Sequence, residues 1–157
     1  MQGTLELQKL KTHRFFAAQA LVDNASFTST CLDTAGLDGV LVVFSTGEQI
    51  DADMTALKVQ ESDTLSSATA LSSGTDISGA DFSVSPLTLP VSSNGTKKSF
   101  GVFIPIVGAR KRYINVIATA GNGSTGTFAT CYGFCTPKIV PDSASERGLA
   151  QQAIIAG

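Results

Sequence analysis

The sequence predicts an all-β protein: an antiparallel β-sandwich or jelly roll with a short C-terminal helix or arm. Three observations carry this. Apolar, β-branched runs of strand length alternate with Gly, Asn and Pro turn signals along most of the chain. The unbroken run Val40-Leu41-Val42-Val43-Phe44, bounded by Gly39 and Gly47, is too short for a buried helix and reads as a strand covered on both faces. Next to it, Leu57, Val59 and Glu61 point one way and Lys58, Gln60 and Ser62 the other, the period of a half-exposed strand. At 157 residues, one domain can bury its own core without staples.

Taken in order, residues 1–22 form an N-terminal arm or lead-in, 23–138 the sandwich, and 139–157 the C-terminal arm or short helix. Within the lead-in, Phe15, Phe16, Ala18 and Leu21 fit a helical turn as well as a β-type approach, and Asp23-Asn24 turns the chain into a strand over Phe27 to Leu32. After the central pair, the Ser/Thr/Gly-rich stretch from Thr64 to Gly79 predicts a long loop or ragged hairpin. A short strand at Phe82 and Val84 follows, edged by Pro86 and Pro90. Asn94-Gly95 signals a type I′ hairpin. It leads into a strand with Phe100, Val102, Ile104 and Ile106 on one face, which Pro105 makes an edge or bulged strand. Gly108-Ala109-Arg110 and Gly121-Asn122-Gly123 then frame a strand from Tyr113 to Ala120. In the last strand Phe128, Tyr132 and Phe134 share one face, expected to be the core side, and Ala129, Cys131, Gly133 and Cys135 share the other. Ser143 to Glu146 has capping-box spacing ahead of a marginal helix ending in Ile154 and Ile155, weakened by Gly148.

Chemistry is sparse. The charged fraction is 15% and the net charge −2, which argues against a nucleic-acid footprint. No apolar run is long enough to span a membrane, and MQGTLELQKLKTHRFF has no signal-peptide core, so synthesis in a cytoplasm is expected. Cys131 and Cys135 fall on one strand face about 13 Å apart, too far for a disulfide, and read with Cys31 as buried free thiols. His13 alone cannot complete a zinc site or a nucleophile–base pair, and reads as a solvated residue. The acidic loop Glu48 to Asp53 lacks the glycine and distal glutamate of a calcium loop. Asn24, Asn94 and Asn122 match the glycosylation pattern but are better explained as turn residues. No catalytic, cofactor or metal residue is assigned. Two candidate partner contacts remain: the basic cluster Arg110-Lys111-Arg112, suited to pairing with carboxylates, and the apolar pair Ile154 and Ile155, which needs a surface on its own domain or a neighbour.

Asp33-Thr34-Ala35-Gly36, Leu57 to Asp63 (LKVQESD), Arg110-Lys111-Arg112-Tyr113 and Ala120-Gly121 together resemble the capsid cement (decoration) proteins of tailed bacteriophages, over about residues 24–136. That resemblance implies a non-enzymatic virion protein, made in the bacterial host cytoplasm and placed on the outer capsid surface. Its partners would be the major capsid protein and itself, as a homotrimer, with no nucleic acid and no membrane. A head–tail connector, tail or fibre-associated protein is the first alternative. A carbohydrate-binding β-sandwich is the second, disfavoured by the absence of Trp and by Phe residues in core-like patterns.

Overall fold

The computed structural model describes residues 9–20, 24–27, 29–47, 53–91, 98–123, 128–139, 145–146 and 148–149. Ten strands follow one another: β1 (Lys11–Ala20), β2 (Leu32–Asp33), β3 (Leu37–Thr46), β4 (Met54–Ser62), β5 (Leu65–Ser67), β6 (Ala70–Leu71), β7 (Thr75–Asp81), β8 (Ser99–Pro105), β9 (Tyr113–Ala120) and β10 (Phe128–Pro137). They form two four-stranded antiparallel sheets, ordered β1-β10-β3-β8 and β2-β9-β4-β7, and a small β5-β6 ribbon. The inner faces of the two sheets bury one core that includes Phe15, Phe16, Val40, Val42, Phe44, Leu57, Val59, Ile104, Ile114 and Val116. The β-sandwich predicted from the sequence is the observed architecture. The described residues contain no helix.

Strand β8 sits at a sheet edge, where Pro105 costs no ladder bond, and Ile104 faces the core as expected. The residues Tyr113 to Ala120 are β9 as predicted. Leu57 and Val59 are buried on β4, and Ser62, on the opposite side, is buried as well. Segment 64–74 folds back over it: the Ser62 hydroxyl donates to the Ser72 carbonyl and accepts from the Thr64 amide. The ragged hairpin over that stretch is β5-β6. From Thr75 onward the chain is a full strand, β7, with Ile77 and Ala80 in the core. Phe82 is buried, but it lies in a turn, and Val84 is exposed; no strand forms there.

Further expectations are corrected. The first concerns β3, which is not covered on both faces: Val40, Val42 and Phe44 are buried while Leu41 is 40% exposed. Secondly, β10 is reversed. Its small residues Ala129, Cys131 and Cys135 face the core, and Phe128, Tyr132 and Phe134 face out. Volume decides the matter. Phe15 and Val40 already occupy the interior opposite Gly133, where an added Cβ would lie 3.0 Å from the Phe15 ring and 3.2 Å from Val40. The third correction is at 11–20, which is a ten-residue strand, paired with β10, and not a lead-in. A bulge explains the ambiguity. Arg14 pairs with Tyr132 and Phe16 with the adjacent Cys131, so Phe15 is an extra residue and both phenylalanines reach the core. The Thr30 amide and hydroxyl bond to the carbonyl of Phe15 at this bulge, at 2.7 and 3.2 Å. The described residues between Phe27 and Leu32 are irregular, and of the expected strand only Leu32 lies, with Asp33, in β2.

Candidate functional site

Three of the four motifs that carried the resemblance meet at one end of the second sheet. Asp33 lies on β2, Glu61 and Asp63 at the end of β4, and Arg110 to Arg112 in the turn entering β9. Arg112 donates to both carboxylate oxygens of Asp33, at 3.1 and 2.8 Å, and its guanidinium lies 5.1 Å from the Tyr113 ring centre. Hydrogen bonding to Arg112 is the main reason the Asp33 carboxyl is held below its ordinary value. Arg110 donates to Glu61 at 3.1 Å, and the Lys111 amide donates to the same oxygen. The Lys111 amine reaches the Thr75 hydroxyl at 3.0 Å, while Thr34 donates to the Arg112 carbonyl. The basic cluster thus finds carboxylates within its own chain. Chemically this is a clasp joining β2, β4 and β9, its Asp33 and Glu61 carboxylates engaged by guanidinium groups.

The outer faces of the two sheets differ. That of the second sheet carries Lys58 and Gln60, both bonded to Asp76, and is partly covered by the β5-β6 ribbon, beneath which Asn115 is buried. The outer face of the first sheet is open and apolar. Register aligns Thr12 with Phe134, Phe134 with Leu41, and Leu41 with Phe103, one cross-strand row over all four strands. Partners in a row point to the same side. Phe134 is 39% exposed, Leu41 40% and Phe103 59%. The next row sets Arg14, Tyr132, Val43 and Gly101 side by side, with Tyr132 38% exposed. The Phe103 ring reaches over Gly39, where a Cβ would meet it at 2.6 Å, and together these rows make an apolar platform.

At the β1 side of this platform the chain returns. The Gly148 carbonyl accepts a hydrogen bond from Thr12 at 3.3 Å, and Gly148 and Leu149 wall a groove of about 590 Å³ with Thr12, Arg14, Tyr132 and Phe134. Gly148 has a φ of +74°, so the marginal helix expected here does not run through it. Ile154 and Ile155 lie outside the described residues, as do the calcium-like loop up to Ala52 and the Asn94-Gly95 hairpin.

His13 is half-buried rather than solvated. Its Nε2 is 3.1 Å from the Thr30 hydroxyl, its ring stands edge-on to Phe15, and desolvation lowers its pKa. Cys131 and Cys135 are buried free thiols, pushed up by desolvation to about 12 and about 11, while Cys31 is only partly covered. Among the described residues, no three His, Cys, Asp or Glu side chains are grouped to hold a metal. The platform was missed from sequence because the aromatic face of β10 was assigned to the core. The one available signal was the unbroken set of small residues on its other face, which suits a side packed against an already filled core. No family model matches the chain, and no curated protein matches it.

Proposed function

We propose that this chain is a non-enzymatic virion structural protein: a capsid cement subunit that binds the outside of a phage head and holds neighbouring major capsid protein subunits together. The observation that supports this reading most is the apolar row Phe134–Leu41–Phe103 across an otherwise exposed sheet. A contiguous exposed apolar patch on a well-filled sandwich marks a contact surface. The motif resemblance supplies the partner class, the homotrimer and the site of action. Repeated symmetric contact would turn modest affinity per subunit into large stabilisation of the assembled shell.

Quantifying the chain against the major capsid protein in purified particles tests this. Cement requires near-stoichiometric amounts; a vertex-level copy number moves the protein to the connector, tail or fibre reading, and absence from particles overturns a virion role. Leu41→Asp and Phe103→Asp are expected to abolish loading while leaving the thermal midpoint within a few degrees, since both side chains already face solvent. One observation favours a second reading. Exposed Tyr132 and Phe134 provide the aromatic surface that a carbohydrate-binding sandwich needs. Glycan-array binding that is lost in Tyr132→Ala, together with absence from particles, would establish it.

A further inference from the structure

We propose that β8 takes up an extended strand of a partner protein, and that this strand sets one aspartate against Arg110 in a pocket beside β8. The inference rests on the reading of this chain as a contact protein and names how the contact is made. Of the four sheet edges, β2 is two residues long. Strand β7 leaves register between the pairs Lys58–Asp81 and Gln60–Asp76, where Ile77 to Ala80 face Val59 alone. Strand β1 is bulged at Phe15, whose carbonyl is already held by Thr30. Bulges and short edges resist a further strand. Strand β8 differs: it runs beside β3 from Ser99 to Pro105 without a register shift.

Alternation decides which of its backbone groups are open. The Thr46 amide donates to the Lys98 carbonyl, and the Ile106 amide to the Asp38 carbonyl. The even-numbered residues of β8 therefore bond to β3, while the amides and carbonyls of Ser99, Gly101 and Phe103 point away from it. Among the described residues, none bonds to these outward groups. Pro105, next in that series, has no amide to offer, so the open ladder ends at Phe103. An added strand binds such an edge through main-chain bonds and takes its specificity from pockets for alternate side chains.

One such pocket is present. Partners in a ladder share a face, so residues of an added strand opposite Val102 and Ile104 point as these two do, toward the second sheet. There, between β8 and β7, lies a pocket of about 50 Å³ lined by Ile77, Ala80, Val102, Ile104, Pro105 and Arg110. That is less than the room of two waters at about 30 Å³ each, so it admits a small head group and no large side chain. Arg110 gives one terminal nitrogen to Glu61, yet its Nε is buried without a hydrogen-bond partner among the described residues. A buried donor is costly to leave unpaired, and a carboxylate is the acceptor that bonds a guanidinium most strongly. Aspartate supplies that group on a short side chain. The occupant is therefore an extended segment with an aspartate on its inward side.

Nuclear magnetic resonance of the isotopically labelled full-length protein tests this with two acetylated and amidated peptides, TVTDTVT and its asparagine counterpart TVTNTVT. Two variants are compared with the native chain. Gly101→Pro removes an amide that faces away from β3, and Arg110→Lys keeps the charge beside Glu61 while deleting Nε. With the aspartate peptide, saturable shifts are expected at the Ser99, Gly101 and Phe103 amides and at the Arg110 Nε–H. Affinity is expected to fall several-fold with the asparagine peptide and in R110K, and binding to vanish in G101P. If G101P does not fold, R110K and the asparagine peptide carry the comparison. Edge amides that stay unmoved at millimolar peptide overturn the proposal. So do shifts of equal affinity for both peptides and in R110K, which leave Nε to a buried water. Shifts of the same amides as the protein alone is concentrated give the edge to a second copy, and overturn the partner strand. The titration contains no particles, so its failure and a failure of particle loading are told apart.

Discussion

Single residues in this protein are constrained more by volume than by chemistry. Gly133→Ala is expected to destabilise the fold by about 1–3 kcal/mol in chemical denaturation, because neither the Phe15 ring nor Val40 can withdraw from a filled core. The thiols separate by burial. Iodoacetamide is expected to modify Cys31 alone in the native protein, and Cys131 and Cys135 only after unfolding, their pKa values of about 12 and about 11 leaving almost no thiolate at neutral pH. His13 gives a pH signature. Desolvation holds its pKa below the usual 6.5, so between the folded and unfolded values the unfolded chain binds the extra proton. Stability is therefore expected to fall as pH drops below about 6.5, then to level off once the folded ring is protonated. Asp33 and Asp76, both held below 3.8 by their hydrogen-bonded cations, produce a separate loss at lower pH, where the unfolded carboxyls take up protons before the folded ones do. In His13→Gln the first step disappears from the pH-dependent melting curve and the second remains.

At the scale of elements, strands were legible wherever alternation was regular. The span of β9, the edge position of β8 and the buried side of β4 all follow from period and turn residues. Strand β1 was not legible because a bulge puts two adjacent phenylalanines inward, which breaks the period of two and imitates a helical turn. The clasp was present in the sequence as three separate motifs, with nothing to say that they meet. Its two ion pairs differ in worth. Arg112 and Asp33 are 56% and 43% exposed, and Asp33→Ala is expected to leave the denaturation midpoint nearly unchanged. Glu61 is 13% exposed and accepts from both Arg110 and the Lys111 amide. Glu61→Ala leaves a partly buried cation and an amide without their acceptor, and about 1–3 kcal/mol is expected in the same denaturation series.

The whole molecule is a sandwich with unlike outer faces, one laced with polar contacts and partly roofed by a ribbon, the other open and apolar. That asymmetry supports adhesion as the function and makes the first sheet the place to look for it. Loss of particle loading in Leu41→Asp, beside normal loading in a Lys58→Ala control on the other sheet, would separate the two faces. Fold class and most strand positions follow from the sequence, because these rest on local period, turn chemistry and residue type. Which face of β10 is the inside was decided only by the tertiary structure. Both faces of that strand can be buried in principle, and the choice depends on what the opposite elements have already placed in the core. Here Phe15, Phe16 and Phe44 fill the interior, so the small residues turn in and the aromatics turn out to solvent.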